Sequence, residues 1–137
     1  MKAAFVKGSA KVTVEDIEKP KPGKGEIMVQ MYACGICGSD VEKVFGKYSQ
    51  PSMKLGHEPS GIISEVGENV ADLKKGDRVF VHHHVPCYSC HYCLHGNETM
   101  CEKYYETNLS PCGLAEQFVV PAWNVEHGGV LKIPDSI

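Results

Sequence analysis

Four cysteines in one short segment constrain this chain more than any other feature. Cys87, Cys90, Cys93 and Cys101 follow the spacing C-x2-C-x2-C-x7-C. Cysteines separated by two residues along a tight turn can point at one centre, and a fourth from the far arm closes a tetrahedron. A centre with four protein ligands leaves no open position for a substrate, so its role is structural. The segment is too poor in apolar residues to fold alone, and a bound cation would order it. Structural zinc is the leading reading. An iron–sulfur cluster is the main rival, since sets of four cysteines also hold such clusters; disulfides and an ordinary loop are weaker rivals. His91 and His95 lie inside the segment and read as surface residues, because four cysteines already complete the shell.

A second constellation lies upstream: Cys37-Gly38-Ser39-Asp40, then Gly56-His57-Glu58. A lone cysteine is most often a small buried hydrophobe, and a lone histidine a hydrogen-bonded one. Thiolate and imidazole together are good zinc ligands, and catalytic zinc takes three protein ligands while keeping one position open. The two parts meet only if the chain turns back between them, and 46–51 has the Gly, Ser and Pro for such a return. Ser39 with Glu42 three residues on reads as a capping box, so a short helix is expected over 40–45. A thiolate at a helix start also lies at the positive end of the helix dipole.

The 137 residues suit one domain with a real core. A formal net charge of −3 gives no reason to expect nucleic acid or an anionic membrane as partner. The apolar runs fall far short of the roughly 18 residues of a membrane span. The N-terminus turns polar too soon for a signal peptide, so a cytoplasmic location is expected. Seven cysteines in that setting argue for metal or thiol chemistry rather than a secreted disulfide framework. Fourteen glycines and eight prolines imply many turns, hence a mainly β fold.

Strands are expected at 3–6 and 11–14, forming a hairpin, and at 26–33, with Ile27, Val29 and Met31 on one side. The segment 15–25, charged and with two prolines and two glycines, reads as a surface loop. Another strand is expected over 56–66, where Gly61 suggests a bulge or a close backbone approach. A turn at 73–79 feeds a strand running to about Val85, and further strands are expected at 115–120 and 130–133.

Together these residues identify a family. The chain resembles the N-terminal, GroES-like catalytic domain of the zinc-containing medium-chain alcohol dehydrogenases. Gly56, His57, Glu58, Gly61, Gly67 and Val70 match the zinc signature G-H-E-x2-G-x5-G-x2-V; Cys37-Gly38-Ser39-Asp40, Gly76-Asp77-Arg78-Val79 and the four-cysteine lobe follow the family's order and spacing. Cys-Gly-Ser-Asp is nearest the sorbitol and threonine dehydrogenase branch, since the ethanol enzymes carry a basic residue after the zinc cysteine. The resemblance implies a partly open GroES-like β-barrel with short helices, one catalytic zinc and one structural zinc in the lobe 87–101. It implies an alcohol or polyol dehydrogenase using NAD or NADP, with zinc polarising the alcohol oxygen.

It also assigns roles. Cys37 and His57 would hold catalytic zinc, and Glu58 would bind it directly or stand behind the ligands. Ser39 would take the alcohol proton and Asp40 would orient His57. Gly38, with Ser39, would border the coenzyme, the glycine letting pyrophosphate approach the backbone. His83, four residues before the first lobe cysteine, would border the substrate pocket. Strand alternation would put His82 and His84 on the face opposite His83.

Some positions depart from the family. Glu42 stands where many members carry the outer histidine of the proton relay, and it competes with its capping role. Cys34 and Cys112 read as free thiols, Cys34 buried. No Gly-rich dinucleotide fingerprint occurs, so the Rossmann coenzyme domain is expected outside these residues, and the chain is expected to be a fragment of a homo-oligomeric enzyme that cannot oxidise alcohols alone. A stand-alone zinc-binding interaction module is the competing reading. A quinone-reductase-like relative without zinc is another, which Cys37 and His57 argue against.

Overall fold

The computed structural model describes residues 1–47, 49 and 54–137. It is mainly β, with two sheets, a few short helices and no closed barrel among the described residues. The strands are β1 (Lys2–Gly8), β2 (Lys11–Asp16), β3 (Ile27–Gly35), β4 (Glu58–Val66), β5 (Arg78–Val81), β6 (Gln117–Val120) and β7 (Val130–Lys132). β1 and β2 form the expected hairpin. The other five make an antiparallel sheet in the order β6-β3-β4-β5-β7. The helices are α1 (Gly38–Phe45), α2 (His91–Leu94), α3 (Glu102–Glu106) and α4 (Ala122–Glu126), with one 3-10 turn at Glu98–Met100. Much of the connection expected at 46–51, including Tyr48, Gln50 and Pro51, lies outside the described residues.

Apolar alternation along the strands builds the core. Ile27 and Val29 of β3, Ile63 of β4, Val79 and Val81 of β5, and Phe118 and Val120 of β6 are fully buried, and Leu109 closes the cluster. Met31 packs at its edge, as its spacing with Ile27 and Val29 predicts. Burying each such side chain contributes about 1.5–3 kcal/mol. The hairpin docks on the end of the large sheet: Ala4 N–H donates to Leu114 O at 2.9 Å, and Ala3 bridges Ala115. A smaller cluster of Val6, Val44 and Leu55 fastens α1 to the hairpin, and Ala10 N–H donates to Val44 O at 2.7 Å.

Three expectations need correction. The helix does not start on Ser39: its N-cap is Cys37, and Asp40 rather than Glu42 reaches back, accepting the Cys37 N–H at 3.2 Å. β5 ends at Val81, four residues short of Val85, because its partner β7 is only three residues long. There the buried Asn124 of α4 replaces the ladder, donating from Nδ2 to the carbonyls of His82 (2.7 Å) and His83 (3.1 Å). Alternation therefore stops with the strand, and the rings of His83 and His84 lie side by side, centroids 3.9 Å apart, rather than on opposite faces.

Gly61 meets both of its sequence readings. It pairs with Met31 beside a register shift between Met31 and Ala33. A Cβ there would stand 2.0 Å from the Gln30 carbonyl oxygen, which is backbone and cannot swing aside. Gly61→Ala is expected to lower unfolding free energy by about 1–3 kcal/mol, read as a lower urea midpoint with an unchanged slope.

Candidate active site and metal centres

The upstream site is made by two neighbouring strand ends. β3 finishes at Gly35, β4 starts at Glu58, and the antiparallel register pairs those two residues. Cys37, two residues past β3, and His57, one before β4, are therefore delivered to one place although 20 residues separate them. One ligand atom from each of Cys37, His57 and Glu58 lies within 4.8 Å of the others. Gly35 makes room for the third: a Cβ at that position would come 2.1 Å from Glu58 Oε2. A thiolate, an imidazole and a carboxylate form a donor set that suits zinc, and three protein ligands leave a fourth position open. Cys37 and His57 are partly exposed and Glu58 is exposed, so the site faces an opening.

His57 Nε2 points into this group, 3.7 Å from Glu58 Oε1 and 3.5 Å from the Ser39 hydroxyl. Nδ1 is buried and lies 3.4 Å from Asp40 Oδ2, yet the pair lacks hydrogen-bond geometry. The Asp40 carboxylate is engaged elsewhere. Oδ2 accepts the Cys37 N–H and Oδ1 accepts the Gly56 N–H at 3.1 Å. Asp40 is 3% exposed, so these bonds are strong and costly to lose. It holds the backbone before His57 and the backbone of Cys37 with one group. The family resemblance assigns it only the orientation of the imidazole. The signal for this second role is an acidic residue three after the N-cap.

Gly56 has φ +74°, and a Cβ there would clash with the Leu114 N–H and the Cys34 sulfur, at 2.6 and 2.8 Å. Cys34 is half-buried rather than buried, and burial pushes its thiol up. Cys112 is buried, with its thiol also raised by burial. Glu42 turns away from the site. Its carboxylate lies beside Gly46, past the far end of α1, where it does not reach Ser39 or His57. Gly38 starts the helix, and a Cβ on it would meet nothing within 4 Å. His83 does border the site, its ring centroid 5.1 Å from that of His57. Burial, with the nearby His84 and His57, pushes His83 down to about 3, so its imidazole is neutral near neutral pH.

The downstream centre is closed. All four sulfurs of Cys87, Cys90, Cys93 and Cys101 lie within 4.8 Å of one another. Cys90 and Cys93 are 3.6 Å apart, and Cys87 and Cys93 4.0 Å. α2 carries Cys93 inward, and Cys101 caps α3. Donors from Ser89 bring Cys87 down to about 6, while burial pushes Cys93 up to about 12, so these two thiols do not ionise alike. A divalent cation offsets that imbalance by holding all four as thiolates, so the cluster fits a structural metal. The rings of His91 and His95 lie against each other, tilted, at 4.3 Å outside the sulfur group, and His95 Nδ1 bonds the His91 carbonyl. These are the only two groups of potential metal ligands among the described residues, and no helix there is long and apolar enough to cross a membrane.

The family described as the alcohol dehydrogenase GroES-like domain matches residues 23–135. An alcohol dehydrogenase of Geobacillus stearothermophilus is 39% identical over all of this chain and 41% of its own length. An L-threonine 3-dehydrogenase of Pyrococcus abyssi is 34% identical over 80% of the chain and 33% of its own length. The crystal structure of galactitol-1-phosphate dehydrogenase from Escherichia coli superposes with a TM-score of 0.80 at 31% identity, covering all of this chain and 39% of that one. The chain thus spans about two fifths of the length of the first of these relatives.

The two centres are expected to respond differently to a mild chelator. The lobe has four ligands in one local segment, whereas the upstream site has three and an open side. The zinc-loaded protein should lose the upstream metal first and retain about one zinc per chain. His57→Ala should cost less than about 1 kcal/mol of stability and Cys93→Ser more than about 3 kcal/mol. Metal analysis during chelation and urea unfolding of both variants test this. Simultaneous loss of both metals, or equal destabilisation, would contradict it.

Proposed function

The chain belongs to the alcohol dehydrogenase GroES-like domain family, and on that premise we propose that it is the catalytic domain of a zinc-dependent, NAD- or NADP-linked dehydrogenase acting on a polyol or secondary alcohol. The observation that carries this reading is the thiol, imidazole and carboxyl groups of Cys37, His57 and Glu58 gathered at an open strand end with the Ser39 hydroxyl 3.5 Å from the imidazole. Zinc, when bound there, supplies Lewis acidity that polarises the alcohol oxygen for hydride transfer to nicotinamide.

The chain's own residues do the rest. Cys37, His57 and Glu58 would hold the metal, and Asp40 fixes the two segments that carry Cys37 and His57. Ser39, exposed at the first turn of α1, accepts the alcohol proton and passes its own to solvent, while the hydride leaves with the coenzyme. The open space around Gly38 lets a coenzyme pyrophosphate approach the helix backbone, so glycine is needed there for the ligand and not for the fold. The neutral His83 gives the pocket a polar wall, which favours a hydroxylated substrate over a long aliphatic one. A cytoplasmic location accompanies this reading.

The test is turnover by the protein joined to a coenzyme-binding domain, with NAD and NADP, on polyols, amino alcohols and secondary alcohols. The chain alone should reduce neither coenzyme. In the joined protein His57→Ala should abolish turnover, and Ser39→Ala should lower kcat by about 100-fold or more. Full activity of the His57 variant would sink the reading. Retention of both metals without turnover on any alcohol would favour the interaction module.

A further inference from the structure

The two metal centres are not independent parts of the fold. A line of rings joins them. His83 lies against His57 at 5.1 Å, and His84 lies against His83 at 3.9 Å. His84 in turn meets Tyr104 at 5.3 Å and Tyr105 at 5.6 Å. Both tyrosines belong to α3, whose N-cap is the lobe ligand Cys101. At the other end of α3, the Thr107 carbonyl accepts a 2.7 Å hydrogen bond from His84 Nδ1. A carbonyl only accepts, so Nδ1 carries the proton and the tautomer and ring orientation of His84 are fixed.

We propose that His84 is a positioning residue for the upstream site: tied to the lobe through Thr107 and the α3 tyrosines, and in contact with the His83 ring at a 40° tilt, it sets the wall that His83 presents beside His57. The chain at 82–84 is outside any strand, so no ladder holds these side chains. Asn124 fixes the carbonyls of His82 and His83 from behind, but nothing in those bonds orients the His83 ring. The close tilted contact with His84 does, because aromatic rings packed against each other restrict one another to a few arrangements. The lobe therefore has a role beyond its own folding. Where its cation orders α3, α3 places His84, and His84 shapes the substrate side of the upstream centre. The inference rests on the reading of Cys37, His57 and Glu58 as a zinc site, and it concerns packing alone.

Aromatic-region NMR of the zinc-loaded 137-residue protein tests it without turnover. In His84→Ala the ring signals of His83 should move toward those of an unstacked imidazole, and those of His57 should move with them. His84→Phe keeps a ring against His83 and the tyrosines, and should return the signals toward wild type. The lobe should hold its zinc in both variants. Unchanged His83 and His57 signals in His84→Ala overturn the proposal, as does a change that appears only when the lobe has lost its metal, or one that His84→Phe fails to reverse. Zinc that leaves the Cys37 and His57 signals undisturbed would instead remove the upstream metal site, a result distinct from the behaviour of the His83–His84 contact.

Discussion

The antiparallel pairing of β3 with β4 governs the rest of this molecule. Its register runs from Ile27 opposite Val66 to Gly35 opposite Glu58. One end of the ribbon is buried in the apolar core and the other opens at the upstream site. Sliding the register by one residue would turn Ile27, Val29 and Ile63 out of the core. It would also separate Cys37 from His57 and Glu58. Core and site are therefore specified by one set of hydrogen bonds, and the bulge beside Gly61 tunes where the ribbon ends.

Asp40 converts that approximate meeting into a fixed geometry. Strand ends fray, and a ligand set held only by two fraying ends would be loose. A buried carboxylate that accepts one N–H from each arm removes the freedom. It can do so because α1 starts at Cys37, which puts Asp40 in the first turn, facing inward. The hairpin seats α1 through Val6 and Val44. A contact far from the chemistry thus reaches the ligands through one helix, and the partner charge of Lys43, 3.6 Å from Asp40, lies on that helix too.

The cysteine lobe solves a different problem. It is polar, short of apolar contacts and built from a helix of four residues and a 3-10 turn of three, lengths at which helices do not persist alone. Four converging thiols order such a segment only when a cation neutralises them. The order gained does not stop at Cys101, because α3 follows it directly and lies against His84.

By itself the sequence determined the parts whose information is local. The spacing of Cys87, Cys90, Cys93 and Cys101 states a closed four-sulfur centre, because ligands so near in sequence need only one tight turn to converge. The hairpin and the inward face of β3 were legible through turn chemistry and alternation, and the motifs named Cys37, His57 and Glu58 as candidates. Tertiary structure alone decided what depends on partners distant in sequence. It ended β5 at Val81, since a strand lasts only as long as the neighbour that pairs with it. It gave the N-cap to Cys37 and the inward turn to Asp40, since the buried Asp40 carboxylate takes the Cys37 and Gly56 N–H groups, which the Ser39 capping pattern does not foresee. It placed Glu42 away from the site and brought His84 beside His83. Local spacing fixes which atoms are available; the packing of separate segments fixes which of them meet.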